Sequence, residues 1–401
     1  MKHFQKYYTI LFCAFCFIIP FTDFGEALPN IVLLVNVVLF PFVVKKEDFQ
    51  FLNTRLFKLG IVFLVFILFQ ILFLQRWEDF SFLNKLLIIP AVFILSLPLK
   101  NSKIPILGFV FGALVLSLVT SFNIVQYVYK SGEFNFAVGE GINQILLGDR
   151  PYVGFIYVIS TFLTLYLTQF QKSRVLKKIL YVLAAFFAVL IIIISARLAL
   201  LSLIVIAGCS VFYLRKKLIS AIVLIGLVLV TPSVFYFNQN LQDRFFMGFE
   251  QQESSIEKAM KMEPRYHIWN CVSVIGQETK TFLIGTGFRK SEQRLTDCYA
   301  QKNGFINDEQ QNWFVDSQFN THNQFFNFYI SSGILGLLIF LAFSIEWGIK
   351  SRKDYFQFAV FMAVFLFCFM ENILSRQLGA MLFGLMLVFN QIIKNHSDKE
   401  V

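Results

Sequence analysis

The sequence predicts an all-α polytopic membrane protein with about twelve transmembrane helices. Of its 401 residues, 57% are hydrophobic and 15% are charged, whereas an ordinary soluble domain has roughly 25% charged residues. The apolar residues recur in blocks of about the length that crosses a bilayer as a helix. A water-soluble fold could not bury so much apolar surface, and the same composition excludes a disordered chain, a collagen and a small disulfide scaffold.

Twelve apolar blocks predict the membrane-spanning helices. A basic segment precedes the first block, as in a signal peptide, but no small-residue cleavage site follows Phe21, so we expect a retained helix. The blocks lie near residues 7–21, 27–44, 57–75, 83–99, 104–127, 152–170, 179–194, 198–214, 218–236, 323–345, 355–370 and 378–393.

The basic residues predict the orientation of these helices. With the N-terminus inside, most lysines and arginines fall in the termini and the even-numbered connections, which are then cytoplasmic. The short outer connections carry only Arg76, Lys130, Arg150, Arg197 and Arg376. Both termini are therefore expected in the cytoplasm, and the net charge of +10 reports topology rather than a nucleic-acid partner.

One connection, residues 237–321, is far longer than the others and falls on the outer side. Structureless loops above roughly 15 residues are usually functional or disordered. Its aromatic and aliphatic residues predict partial folding, with helices at 252–262 and 265–277 and a turn at 285–287. We therefore divide the chain into helices one to nine over 1–236, a periplasmic loop subdomain over 237–321, and helices ten to twelve with a cytoplasmic tail over 322–401.

Several kinds of chemistry have no sequence signal. There is no phosphate-binding loop of an ATP-driven pump and no histidine and cysteine spacing of a zinc site. The predicted spans contain almost no ionisable residues, which argues against an ion-coupled carrier. Any chemistry is therefore expected at the outer surface.

Two arginines stand in short outer connections. Arg197 follows Ser195 in the tight turn between the seventh and eighth spans, where a guanidinium is costly unless it has a partner. It is either an interfacial arginine that extends to lipid headgroups or a fixed cation for an anionic ligand, since its planar fork binds two phosphate oxygens. Arg150 lies on the same side, although Asp149 beside it also allows an ordinary ion pair.

The long connection and the last outer turn add further candidates. Arg265 and Trp269 are four residues apart and so share one helical face, while a solvated charge is the alternative for Arg265. His322 lies where the long connection meets the tenth span, and is either a helix cap or a general base for a hydroxyl. Glu371 and Arg376 in the last outer turn also suit ordinary interface anchors.

These residues come from four separate connections, yet the topology places them at one membrane face. Cations beside apolar helices suit a lipid-linked phosphate, and a positioned histidine suits attack by a hydroxyl. The segments that contain them are Arg150-Pro151-Tyr152, Ser195-x-Arg197, Arg265-x-x-x-Trp269 with Gly285-x-Gly287, His322-Asn323 with Gly333-x-x-Gly336, and Glu371-Asn372 with Gln377-x-Gly379.

In the order and spacing of these motifs, the sequence resembles the O-antigen ligase and polymerase family of bacterial envelope glycosyltransferases. The resemblance covers about residues 148–390, and the first five spans match only in hydropathy. One motif departs from the family pattern, because it reads Ser195-Ala196-Arg197 and lacks a second polar residue.

The resemblance implies a GT-C-like enzyme of the bacterial inner membrane with a periplasmic active face. The donor would be a glycan on undecaprenyl pyrophosphate, and the acceptor a lipid A core sugar or a growing glycan. Arg197 and Arg265 would stabilise the leaving pyrophosphate, and His322 would orient or deprotonate the acceptor hydroxyl. Neither a metal nor a cofactor is expected, because the leaving group is ready-made. Substrate contacts are expected from Arg150, Ser195, Trp269, Asn323, Glu371 and Arg376.

Some alternatives stay open at the level of the sequence. Cys271 and Cys298 are candidates for a disulfide in an oxidising periplasm, or are two free thiols. We expect a ligase rather than a polymerase, because the Glu371 segment and the compact loop look more like that branch. A lipid-linked-glycan transporter or flippase would need a polar, cationic passage that the spans lack. A structural or sensory protein would be insensitive to replacement of Arg197 or His322.

Overall fold

The computed structural model describes residues 2–21, 27–99, 102–132, 141–213, 263–301 and 307–400, with single residues 25, 218, 225, 226, 236 and 305 between them. Every regular element among these residues is a helix. The helices are α1 (Lys2–Ile18), α2 (Ala27–Leu39), α3 (Arg55–Phe73), α4 (Phe80–Ser96), α5 (Ile104–Ser131), α6 (Gly141–Leu146), α7 (Arg150–Thr168), α8 (Arg174–Ile193), α9 (Arg197–Tyr213), α10 (Pro264–Gly276), α11 (Thr279–Ile284), α12 (Phe288–Gln301), α13 (Asp308–Ser317), α14 (Gln324–Ser351), α15 (Tyr355–Met370) and α16 (Gln377–Glu400).

Eight segments of the described chain are long and apolar enough to cross a membrane, and three shorter apolar helices accompany them. The shorter ones are Ala27–Phe42, Arg197–Tyr213 and Tyr355–Met370. Together they correspond to eleven of the twelve predicted spans, and the prediction of an all-α polytopic membrane protein is confirmed. The ninth predicted span, 218–236, lies almost entirely outside the described residues, as does the predicted helix 252–262.

Two helices form the centre of the bundle. In the span that contains α7, 89% of the residues are buried, and in that of α16, 83%. In the spans of α3 and α8 only 22% of the residues are buried. The helix α7 packs against α5, α8, α9 and α15, and α16 packs against α4 and α15. Gly154 permits the close approach of α7 and α9, because a Cβ there would lie 2.8 Å from Ala199 and 2.9 Å from Ala196.

The helix α14 is interrupted at Gly333, whose backbone is left-handed with φ 75°. Residues 285–287, in which Gly285 and Gly287 have positive φ, lie against this break. The N–H of Thr286 donates to Ile330 O at 2.8 Å and that of Gly287 donates to Ser331 O at 2.8 Å. A Cβ on Gly333 would overlap the Leu283 carbonyl. Only glycine therefore fits at this crossing.

Two side chains from the first half of the chain complete the crossing. Arg76 donates through Nη1 to Ile284 O and Ser331 O, both at 3.2 Å, and through Nη2 to Gly285 O at 2.6 Å. Gln70 donates to Ile284 O at 3.1 Å and to Ser332 O at 3.0 Å. Carbonyl groups that the break removes from helical bonding are thereby satisfied at a depth where water is scarce.

Helices α10 to α13 form a small subdomain at one end of the bundle. It has its own apolar core and a disulfide that joins Cys271 in α10 to Cys298 in α12. Ile330 of α14 belongs to this core and attaches the subdomain to the bundle. We call this end of the bundle the outer end and the opposite end the inner end. The core residues are Ile268, Cys271, Val272, Ile275, Leu295, Tyr299, Phe314 and Ile330.

Candidate active site

His322 lies on a rigid turn at the outer end, immediately before α14. Its backbone is left-handed with φ 42°, a conformation that needs support from its neighbours. The His322 N–H donates to Asn320 Oδ1 at 2.9 Å, and Asn323 caps the helix by accepting from the N–H groups of Phe325 and Phe326. The cap of α14 is therefore Asn323 rather than His322, whose imidazole is left available for another use.

The turn is also held from the side by two other segments. Asn372 Oδ1 accepts from the Asn323 N–H and from Thr321 Oγ1, both at 2.8 Å. On the subdomain side, Trp269 Nε1 donates to Thr321 O at 3.1 Å. Trp269 and Asn323 thus position the histidine turn through hydrogen bonds within the protein.

The imidazole of His322 contacts a carboxylate. Its Nδ1 lies 3.1 Å from Glu371 Oε2, and the side chains of His322 and Glu371 are 28% and 13% exposed. Glu371 is the residue at which α15 ends, and its other oxygen, Oε1, lies 3.7 Å from Arg265 Nη2. One carboxylate therefore joins the histidine to an arginine of the subdomain.

A second carboxylate joins the two predicted arginines. Glu263 Oε1 lies 3.3 Å from Arg265 Nη1, and Glu263 Oε2 lies 3.3 Å from Arg197 Nη1. Arg265 also donates to Met370 O at 3.3 Å. The result is a continuous chain of charges, which we call the charge relay: Arg197, Glu263, Arg265, Glu371 and His322.

The turn between α8 and α9 presents Arg197. Ser195 is buried and left-handed, with φ 51°, so the chain reverses sharply and α9 begins at Arg197. Arg150, at the start of α7, is 5% exposed and close enough to Arg197 for their charges to repel. Two arginines therefore lie close together at the starts of α7 and α9.

Arg376 has a different set of neighbours. It forms an ion pair with Asp149 and lies 5.4 Å from the ring centre of Tyr152. Its side chain is 55% exposed. These contacts fasten the α15–α16 turn to the start of α7, and among the described residues Arg376 forms no ion pair with a member of the charge relay.

Several site residues were missed by sequence reasoning. Glu263 precedes Pro264 at the start of α10, which is the one local signal for it, since acidic residues favour a helix N-terminus. Asn372 was noted only as part of a motif. Lys85 lies inside the fourth predicted span and donates to Ser375 O at 2.6 Å. It adds a cation to a span that we had treated as almost free of ionisable residues.

The charge relay has the properties of an anion site with an adjacent base. Two guanidiniums with planar donor forks face carboxylates that a phosphate group resembles in charge and size. The histidine is oriented by a carboxylate, as in sites where an imidazole accepts a proton from a hydroxyl. Among the described residues there is no group of three or more His, Cys, Asp or Glu side chains able to hold a metal ion.

The bundle and this site define a multi-pass, all-α membrane protein with paired arginines and carboxylates and a histidine at its outer end. The family model for O-antigen ligase matches residues 182–341, which run from α8 through the subdomain into α14. This part of the chain is similar to the O-antigen ligase family, and the resemblance inferred from the motifs is confirmed. The family implies a glycosyltransferase-like enzyme of ligase or polymerase type. No curated protein sequence matches the chain.

Proposed function

We propose that the protein is an O-antigen ligase of the bacterial inner membrane, with both termini in the cytoplasm. It transfers a glycan from undecaprenyl pyrophosphate to a lipid A core sugar at the periplasmic face, with inversion and without a metal. The charge relay is the observation that carries this proposal. It brings Arg197, Arg265 and His322 together although they lie in three separate parts of the sequence.

His322 acts as the base for the acceptor in this proposal. When its Nδ1 carries the proton and donates it to Glu371, Nε2 is the basic nitrogen. Nε2 then takes the proton of the acceptor hydroxyl while the hydroxyl oxygen bonds to the anomeric carbon of the donor. Glu371 stabilises the imidazolium that forms, a role like that of the carboxylate in a catalytic triad.

The arginines act on the leaving group. As the bond between the anomeric carbon and the phosphate oxygen breaks, the electron pair stays on the pyrophosphate. Arg197 and Arg265 supply donors for the charge that develops there, and such preorganised donors contribute the largest part of many rate enhancements. Because pyrophosphate leaves as a stable anion, nucleotide hydrolysis is not needed.

The other predicted residues take supporting roles. Arg150 adds positive charge beside Arg197, and the buried Ser195 gives the turn that presents it. Trp269 and Asn323 hold the His322 turn, and Arg376 holds the α15–α16 turn that carries Glu371. These five residues position the reacting groups, and their contact with substrate is a prediction.

The test is complementation of a gene deletion. Wild type, Arg197→Ala, Arg265→Ala and His322→Ala are expressed at matched membrane abundance, and surface glycolipid is separated on a gel. Arg289→Ala is the control, since this arginine belongs to the same subdomain but is 70% exposed and pairs only with Glu292 through its guanidinium among the described residues.

A ligase predicts loss of long glycan from lipid A in the three variants, with polymer retained on the lipid carrier, and a normal ladder in the control. Loss of chain length with one repeat still attached would indicate a polymerase instead. An unchanged ladder in all three variants would refute an enzymatic role of the charge relay.

A further inference from the structure

A cleft runs through the inner half of the bundle, between the pair α3 and α14 and the pair α4 and α16. Its cavity volume is about 110 Å³. The walls are mainly aromatic and aliphatic, with Phe57 of α3 stacked on Phe93 of α4 at 6.0 Å and Phe343 of α14 at 6.1 Å from Phe383 of α16. A cleft so lined, in a membrane protein, suits a hydrocarbon chain.

The inner rim of the cleft is polar and positively charged. Lys350 in the last turn of α14 and Lys394 near the end of α16 both line it. Glu346 pairs with Lys350 at 3.3 Å and with Arg55 at 3.7 Å. Lys394 has no ion pair among the described residues. The charged residues that line the cleft itself are Lys350 and Lys394, and the carboxylates Glu47 and Asp48 line an adjoining pocket that shares Phe93 and Gln391 with it.

An unsatisfied donor lies between the apolar walls and the charged rim. Trp347 lines the cleft and is 2% exposed, and its indole Nε1–H is buried with no acceptor among the described residues. A buried donor without an acceptor costs about 1–3 kcal/mol. An oxygen atom of an occupant, one turn of helix deeper than Lys350, would supply the acceptor that the protein lacks.

We propose that this cleft binds an anionic glycerophospholipid of the leaflet at the inner end. The phosphate group pairs with Lys350 and Lys394, an ester oxygen of the glycerol backbone accepts from Trp347, and an acyl chain lies between the aromatic walls. Along the cleft, the lysine cations are followed by the Trp347 donor and then by the apolar walls. The phosphate, ester and acyl chain follow one another in the same order along such a lipid. A free phosphate ion would leave the apolar walls unfilled.

The lipid site is separate from the charge relay. His322 lies just before α14 and Lys350 lies in its last turn, so the 28 residues of the broken helix keep the charged rim of the cleft roughly 40 Å from the histidine. The opposite, apolar end of the cleft reaches Leu374 in the α15–α16 turn. The proposal therefore does not depend on the enzymatic one. Binding to this site is measured without any glycan substrate.

The test uses the full-length protein in detergent and two phospholipids with identical acyl chains. Thermal unfolding and native mass spectrometry are recorded with phosphatidylglycerol, which is anionic, and with phosphatidylcholine, which is not. The variants are Lys394→Gln, which breaks no ion pair among the described residues, and the double variant Lys350→Gln/Lys394→Gln. The control is Lys177→Gln/Lys178→Gln at the inner end of α8, outside the cleft.

We expect wild type and the control to retain phosphatidylglycerol at least fivefold better than phosphatidylcholine. Lys394→Gln reduces this preference and the double variant abolishes it. A Trp347→Phe variant, which keeps the ring and removes the donor, weakens binding of both lipids. Equal retention of the two lipids by wild type, or an unchanged preference in Lys394→Gln and the double variant, would overturn the proposal.

Discussion

The two ends of α14 both carry charged side chains, but the charges are organised differently. At the outer end, half-buried groups from four segments are linked into one relay from Arg197 to His322. At the inner end, Glu346 pairs with its neighbours Arg55 and Lys350, and Lys394 stands apart. The number of cations is similar at both ends. The two ends differ in whether ion pairs link the charged side chains of separate segments into one network.

This difference matches two kinds of ligand. A reaction requires groups held at fixed spacing around the atoms that react, and residues on separate segments, cross-linked by carboxylates, provide that. A lipid headgroup needs only an excess of charge at the right depth, and flexible lysines provide it. Charged side chains linked by ion pairs thus fit a reacting site, whereas separate lysines fit electrostatic attraction of a lipid headgroup.

The largest expected effect comes from removing the centre of the relay. Arg265→Ala lowers the rate of glycan transfer by about 10²–10³-fold, the typical loss for one donor to a developing oxyanion. Arg265→Lys recovers only part of this, since an ammonium cannot reproduce the guanidinium fork. The measurement is transfer from lipid-linked glycan by purified protein.

The control for this prediction is an arginine of the inner end. Arg174 is exposed in the first turn of α8, and Arg174→Ala should leave the rate within about twofold. Equal losses in Arg174→Ala and Arg265→Ala would show that arginine content, rather than connection, is what matters.

A second contrast concerns two glycines in helices. Gly333→Ala places a side chain at φ 75° against the Leu283 carbonyl, which should lower stability by about 3 kcal/mol. Gly60→Ala in the inner half of α3 puts a Cβ at an ordinary 3.6 Å from Phe343 and should raise stability by roughly 0.5–1 kcal/mol. Denaturation in detergent measures both, and a shift of the same sign would contradict the expectation.

The disulfide lies within the subdomain, so its reduction tests whether the subdomain unfolds separately from the bundle. Cys271 and Cys298 close a loop with a sequence separation of 27, and opening such a loop costs about 3 kcal/mol. Reduction should therefore accelerate hydrogen exchange in α10 and α12 and leave α7 and α16 unchanged. Uniform acceleration across all four helices would mean that the subdomain and the bundle unfold together.

The smallest effect is expected for an exposed ion pair of the subdomain. Arg294 hydrogen-bonds Glu278 and holds the pKa of that carboxyl below its usual value. Because the folded pKa is lowered, the pair stabilises the protein above the unfolded pKa and stops doing so as the pH falls through the folded value. Glu278→Gln should lose less than about 1 kcal/mol at pH 7. The loss should vanish in strong acid, as measured by unfolding against pH.

The sequence predicted the features that depend on local composition. Apolar blocks predicted eleven described spans, and the predicted helix 265–277 corresponds to Pro264–Gly276. The Gly-Thr-Gly turn at 285–287 was also predicted. Each of these follows from residues that are neighbours in the chain.

The sequence did not predict features that depend on contacts between residues far apart in the chain. Arg76 was read only as a marker of topology, and its bonds to residues more than two hundred positions away leave no local pattern. Gly333 was recognised as a motif residue, but a glycine in an apolar helix usually reflects close packing rather than a break. Glu263 contacts Arg265 two residues along the chain, but its contact with Arg197, 66 positions away, leaves no local pattern.

The crossing at Gly333 also has a consequence for biogenesis. Gln70 and Arg76 are synthesised long before residues 284–285 and 331–332, to whose carbonyl groups they donate. Both donors are therefore already synthesised when the broken helix that needs them is made. If the second half of the chain were made first, the carbonyl groups at the break would lack the side-chain donors of Gln70 and Arg76.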